Sequence, residues 1–136
     1  MVDLSFTDTK QAIENYAKTY HEIDRYYRLY GYHASLGKQA TLLDELTEEI
    51  ERRYSNQYLL QLNDRFQSFL DEEKGWPIKE LDYQRDFYNN HVLPFAQKGV
   101  KVFVIISDAL RYEAGRELHE RILKEDKFKS KIDYQL

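Results

Sequence analysis

Cysteine is absent from this sequence of 136 residues, which excludes disulfide bonds, thiolate metal sites and thiol catalysis. Proline occurs only twice and glycine five times, so few positions interrupt regular secondary structure. No apolar run approaches the roughly 18 residues that span a membrane, and the first residues lack the basic and apolar parts of a signal peptide. We therefore expect a cytoplasmic protein that does not contact a membrane.

An excess of charge of one sign is also lacking. The 24 acidic and 20 basic residues leave a formal charge of −4. Such a balance provides no polybasic surface for nucleic acid or anionic lipid. Any binding of phosphate must therefore rest on a local site, and any metal ion must be held by carboxylate and imidazole groups.

Tyrosine, in contrast, is abundant, with 12 copies. Apolar and tyrosine residues between Phe6 and Tyr30 recur at steps of three, four and seven, which predicts one helix over about 6–30. Ser5 with Asp8 resembles a capping box at its start, and Gly31 is a plausible stop. The tyrosine stripe could stack on nucleic-acid bases, but without clustered basic residues it favours a seam between helices.

Two further helices are predicted before residue 100. Thr41 with Asp44 resembles a second capping box, and a helix over about 41–73 follows. Its apolar phase changes near residues 55–56, which predicts either a bend or a change of the neighbour that the helix packs against. The stretch "KGWPIKE" interrupts the pattern before a third helix over about 80–97. That helix should end near Pro94 and Gly99, place His91 in a packed or surface position, and bury Leu81, Phe87, Tyr88, Val92 and Phe95.

The pattern of apolar and charged residues changes after Gly99. Residues 100–107 form an apolar run typical of a strand covered on both faces. Residues 113–124 are typical of a helix whose inward-facing residues are Ala114, Leu118, Ile122 and Leu123. The segment "SKIDYQL" is typical of a second strand. We expect a mostly α chain with a short α/β part, in which a long-helix region (1–98) precedes a truncated βαβ unit (99–136). A single βαβ unit cannot cover its own sheet, which favours a piece of a longer protein.

Asp108 follows the apolar run directly. In open α/β folds functional groups gather at the carboxyl ends of strands, where a carboxylate can bind a divalent cation. Asp108 or Ser107 could instead cap the next helix, and spacing alone leaves both hypotheses open. Arg111 could bind a phosphoryl oxygen or pair with Glu113, and Glu113 could simply compensate the helix dipole.

The segment "VKVFVIISDALRYEAGREL", preceded by "FYNNHVLPFAQKG" and a tyrosine-rich helical region, closely resembles the PglZ family of BREX-type bacteriophage-defence systems. The similarity is specific over residues 87–118 and more diffuse over 16–86. It resembles the junction at which the helical middle region of that family meets its PglZ domain, which belongs to the alkaline phosphatase superfamily. Residues 99–136 would then be the incomplete start of that domain.

The resemblance implies a metal-dependent hydrolase of phosphate esters or phosphodiesters that uses a pair of divalent ions, often zinc. In that superfamily the first strand ends on a metal-binding aspartate, and Asp108 occupies this position. The nucleophile, a Ser or Thr, is expected beyond Leu136, so no catalytic residue is assigned in this chain. Arg111 is carried only as a candidate substrate-binding residue. We expect this piece to be inactive alone and to bind no metal ion tightly.

The implied partners are other subunits of the defence system, and nucleic acid stays open as a partner of the complete protein. The competing hypothesis is that residues 1–98 form a protein-interaction or self-association module without catalytic activity, because a long aromatic seam could leave an unpaired apolar face. A receiver domain phosphorylated on Asp108 is a third hypothesis, which the long helical region before the first strand disfavours.

Overall fold

A computed structural model of the chain describes residues 3–37, 40–72, 78 and 81–135. These residues are mostly helical, as predicted, and they divide into two compact units, Met1–Ile78 and Lys79–Leu136. No described helix is long and apolar enough to cross a membrane. The first unit contains α1 (Thr9–Asn15), a first π segment (Tyr16–Tyr20), α2 (His21–Leu36), α3 (Ala40–Arg52), a second π segment (Arg53–Leu59) and α4 (Leu60–Glu72).

Asp8 is the N-cap of α1, three residues after the N-cap that the sequence predicted at Ser5. The Asp8 side chain accepts a hydrogen bond from the Gln11 backbone N–H (2.7 Å), and the Gln11 side chain accepts one from the Thr7 N–H (2.6 Å). The predicted stop at Gly31 is wrong, since α2 continues to Leu36. An interior glycine costs a helix only about 1 kcal/mol, which the packing of its neighbours can offset.

Residues 9–36 form a first helical rod and residues 40–72 a second, and the second changes the neighbour it packs against near residues 55–56, as one of the two alternatives predicted. The second π segment lies at that place, and its wider turns shift the apolar phase between α3 and α4. Because α1 contacts α4 and α2 contacts α3, the two rods form an antiparallel hairpin. The predicted capping box at Thr41 and nearly all of "KGWPIKE" lie outside the described residues and side chains.

The core of the first unit lies between the two rods, as the seam hypothesis predicted. Asp24 is buried within it (4% exposed) and accepts hydrogen bonds from the hydroxyls of Tyr16 (2.6 Å) and Tyr54 (2.9 Å). A buried carboxylate needs such donors, and here they join the two rods. The buried apolar cluster comprises Leu4, Phe6, Ala12, Tyr20 and Tyr58.

The second unit begins with short helical turns, where the sequence predicted one longer buried helix. They are a 3-10 turn (Gln84–Asp86), a third π segment (Tyr88–Val92) and α5 (Leu93–Ala96), after which Gly99 adopts φ 70°. The end at Gly99 is therefore as predicted. The expected burial of Phe87, Tyr88 and Phe95 is wrong, because their side chains are 40–57% exposed.

The predicted strands of the βαβ unit are not formed in the part of the chain that the structure describes. Residues 100–107 and 128–135 pair in no β-ladder, although α6 (Tyr112–Lys124) forms between them almost as predicted. A strand requires a neighbour for its backbone N–H and C=O groups. Phe103, Ile105 and Ile106 are 79–93% exposed, and Leu118 and Leu123 are half-exposed where inward positions were expected.

Candidate functional site

The junction between the apolar run and α6 holds the two residues predicted to form the site. Asp108 lies in an exposed turn, in which the Leu110 N–H donates to the Ser107 carbonyl (3.4 Å). Leu110 and Arg111, the second with extended backbone, then lead to Tyr112, the first residue of α6. The Asp108 carboxylate is therefore presented to solvent at the end of the apolar run.

The hypothesis that Ser107 or Asp108 caps α6 is wrong. Arg111 occupies the N-cap position (φ −67°, ψ 152°), and no side chain makes a cap hydrogen bond. Its carbonyl instead accepts the first bonds of the helix, from Ala114 and Gly115 (3.0 Å each). Asp108 lies too far before the first turn to act as its N-cap. Asp108 therefore has no capping role in α6, and its role as a metal ligand stays a prediction.

Arg111 contacts Glu113, as one of the two sequence hypotheses expected. The Nε of Arg111 lies 3.2 Å from Oε1 of Glu113, whose side chain is fully buried while that of Arg111 is 57% exposed. A carboxylate in the first turn also interacts favourably with the helix dipole. The guanidinium is thus held by an acid, although its exposed side remains able to meet a ligand.

A groove of about 340 Å³ runs along α6 within the second unit. Arg111 lines it, whereas Asp108 is not among its described lining residues, so the structure does not bring the two predicted site residues into one pocket. Across the groove, Ser130 Oγ lies 2.7 Å from Nδ1 of His119. Lys131 lies 3.2 Å from Asp133, and this contact is the main reason that the pKa of Asp133 lies below its usual range.

The groove is balanced in charge. Its cations, Arg111 and Lys131, are each paired with a carboxylate, Glu113 or Asp133, so the groove offers no net positive field for an anion. Within the described residues, no three His, Asp or Glu side chains group as a metal site. Among the described residues of the second unit, Asp108 is therefore an exposed carboxylate on a turn, and no cluster of candidate metal ligands surrounds it.

The contact between His119 and Ser130 was not predicted from the sequence. Gly115, His119 and Ile122 follow helical spacing, which identifies one face of α6. Nothing in the sequence signalled that residue 130 would return to this face after the turn at Asp126, where φ is 51°. A contact between a helix and a segment without regular structure has no periodicity from which it could be predicted.

Comparison with known proteins decides the family. Residues 87–136 match the family model "BREX system PglZ alkaline phosphatase-like domain". The chain is 36% identical over 138 residues to the alkaline phosphatase-like protein BrxZ of Escherichia coli, an alignment that covers 96% of the chain. The chain belongs to the PglZ family. The resemblance found in the sequence is thereby confirmed.

A second PglZ-family relative extends the likeness through both units. The alkaline phosphatase-like protein PglZ of Bacillus cereus is 36% identical over 119 residues, which cover 86% of the chain. The chain spans only 16% of the length of the E. coli relative and 14% of that of the B. cereus relative. No solved structure matches the chain. The predicted boundary between residues 98 and 99 stays a prediction.

Proposed function

We propose that this chain supplies the first metal-binding carboxylate, Asp108, to a PglZ-type metal-dependent phosphatase or phosphodiesterase of a cytoplasmic anti-phage system. The match of residues 87–136 to the PglZ alkaline phosphatase-like domain carries the proposal. The remaining ligands and the Ser or Thr nucleophile would come from a longer protein in which this chain is the junction between the helical region and the catalytic domain.

The exposed apolar run supports this proposal. Phe103 and the two isoleucines that follow leave large apolar surfaces in water (79%, 93% and 89% exposed), a state that soluble proteins rarely maintain over consecutive residues. A parallel sheet would cover both faces of such a run. Asp108 would then stand at the carboxyl end of a central strand, where the crevice of an α/β fold opens.

A metal ion does not fit the described residues of this chain alone. No group of three candidate ligands is present among them, and one exposed carboxylate cannot fix a divalent cation against water. In the complete site, a bound metal ion would lower the pKa of the attacking hydroxyl and stabilise the leaving oxygen. The contribution proposed for this chain is limited to holding one ligand, with Arg111 as a candidate contact for a phosphoryl oxygen.

The test compares Asp108→Ala with Asp82→Ala in the full natural protein that contains this chain. Both aspartates are exposed and lie in the second unit, so general effects of removing a surface charge are matched. Divalent metal content is measured after dialysis, and hydrolysis of p-nitrophenyl phosphate and bis-p-nitrophenyl phosphate is measured in parallel. Asp108→Ala should lower metal content and reduce hydrolysis by about a hundredfold, because the metal ion that Asp108 would help to hold supplies much of the charge stabilisation in the transition state.

Unchanged metal content in folded Asp108→Ala protein would remove Asp108 from the metal site. Equal losses in both variants would indicate a general structural effect and would also contradict the assignment. The partners expected from the family, other subunits of the defence system, follow only if the hydrolase assignment stands.

A further inference from the structure

A second groove, unrelated to Asp108, lies in the first unit between α2 and the rod formed by α3 and the second π segment. Its volume is about 580 Å³, within the range of ligand-binding clefts. Tyr26 stands at its edge with 67% of its surface exposed, so the groove is open along one side. We call it the tyrosine groove; its aromatic lining comprises Tyr26, Tyr27, Tyr30, Tyr54 and Tyr58.

Four of the five rings of the tyrosine groove are held in place by hydrogen bonds of their hydroxyl groups. The Tyr27 and Tyr54 rings stack with centroids 3.6 Å apart. Locked aromatic rings lose little entropy when a ligand binds, and such preorganisation favours affinity. The hydroxyl contacts are Tyr27 with Glu51 (2.7 Å), Tyr30 with Thr47 (2.7 Å), Tyr54 with Asp24 (2.9 Å) and Tyr58 with the Tyr20 carbonyl (3.1 Å).

One wall of the groove is the second π segment. This segment supplies Arg53, Tyr54, Gln57 and Tyr58 to the lining. Short π-helical turns cost hydrogen-bond geometry and occur frequently at functional sites. These four positions follow the i, i+1, i+4, i+5 spacing that places side chains on one face of a helical rod, so together they form one wall.

The helix that precedes this wall along the chain, α3, is acidic, although the only lining residue it supplies among those described is Ile50. Helix α3 carries five acidic residues and one arginine. Two of these acids contact residues that line the groove, since Glu51 accepts a hydrogen bond from Tyr27 and Glu49 pairs with Arg53. The one cation of the lining is thereby neutralised, and a ligand of positive charge is favoured.

We propose that the tyrosine groove binds an extended, proline-rich peptide segment that carries basic residues. Aromatic grooves receive polyproline II segments because the prolines pack on ring faces and the backbone carbonyls stay free to accept hydrogen bonds. Gln57 and the exposed Tyr26 hydroxyl can donate to such carbonyls. A helical ligand satisfies its own backbone carbonyls and has no need of these donors. Nucleic acid is disfavoured because the acidic helix α3 repels its phosphates. This inference does not depend on the hydrolase assignment.

The test selects peptides from a random phage-displayed library on the 136-residue chain, after depletion on the Tyr26→Ala variant. Selected peptides should share proline together with Arg or Lys. Their affinity is then measured by fluorescence anisotropy with labelled peptide. Tyr26→Ala should weaken binding by about tenfold or more, as truncation of an aromatic anchor does. Replacing the basic residues of the peptide with Glu should abolish binding, and added salt should weaken it.

Tyr32→Ala is the matched control. Tyr32 lies on the same helix with a similar exposure (59%), but it is not among the lining residues of the tyrosine groove. Its substitution should leave affinity within about twofold, since exposed positions outside a contact contribute little. Circular dichroism of both variants verifies that the helices are intact.

Three outcomes would overturn the proposal. The first is a selection without any sequence that depends on Tyr26. The second is a consensus that is acidic or that forms an amphipathic helix. The third is a dimer, detected by sedimentation, that Tyr26→Ala dissociates, because a second copy of the chain would then occupy the groove.

Discussion

The two units of this chain use apolar residues in opposite ways. In the first, Phe6 is 2% exposed and Tyr58 is 5% exposed, between two rods of helix that supply each other's cover. In the second, Phe103 and Ile105 are 79% and 93% exposed, in a segment without regular secondary structure. Both units are comparably rich in apolar residues, so the difference lies in whether a complementary surface is present within the unit.

This difference bears on what each unit can do. The first unit satisfies its buried carboxylate, Asp24, with two tyrosine hydroxyls and builds a preformed groove. The second presents Asp108 on a turn, next to an apolar run that no described strand covers. The groove proposed to bind a peptide is therefore formed by residues of the first unit, whereas the metal site proposed for the second requires ligands from further chain.

Paired substitutions of phenylalanine test the comparison with the largest expected effect. Phe6→Ala removes a ring that packs on Phe69 (centroids 5.6 Å apart) and leaves a cavity, which should lower the free energy of unfolding by about 3–5 kcal/mol. Phe103→Ala removes a solvent-exposed ring and should change it by less than about 0.5 kcal/mol. Urea unfolding followed by far-ultraviolet circular dichroism measures both. Similar losses in the two variants would show that residues 100–107 are covered in solution.

The helices were predictable because their information is local. The 3.6-residue period, Gly99 and the phase change near residues 55–56 predicted most of the helical elements. The strands could not be predicted in the same way. An apolar run indicates that its side chains should be buried, but it does not supply the neighbouring strand that would pair with it. Asp108 was identified by its place after that run, whereas the contact of His119 with Ser130 required the path of the chain after α6.

Substitutions of two glycines should change stability by smaller amounts and in opposite directions. A Cβ atom built on Gly31, in α2, or on Gly99 meets no atom within 4 Å, so space does not distinguish them. Gly31→Ala should raise the free energy of unfolding of the first unit by about 0.5–1 kcal/mol, because alanine favours helix. Gly99→Ala should destabilise the end of α5 by about 1 kcal/mol, since φ is 70° there.

Urea unfolding measures the Gly31 effect, and amide hydrogen exchange of residues 93–100 measures the Gly99 effect. Stabilisation by Gly99→Ala would contradict the left-handed conformation at the end of α5. Destabilisation by Gly31→Ala would indicate that α2 ends at Gly31 in solution, as the sequence alone had predicted.

Alkaline pH should weaken the first unit through Tyr27. Its hydrogen bond to Glu51 is the largest cause that raises the pKa of Tyr27 from 10.0 to about 12. The unfolded chain therefore loses this proton at a lower pH than the folded chain, so the stabilisation is complete below pH 10 and is lost as pH rises toward 12. Tyr27→Phe should show a smaller decline over that range than the unaltered chain, and Tyr88→Phe, at an exposed tyrosine of the second unit, should show the same decline. An unchanged decline of stability in Tyr27→Phe would mean that the Tyr27–Glu51 hydrogen bond does not persist in solution. The Tyr27 ring of the tyrosine groove would then not be held rigidly.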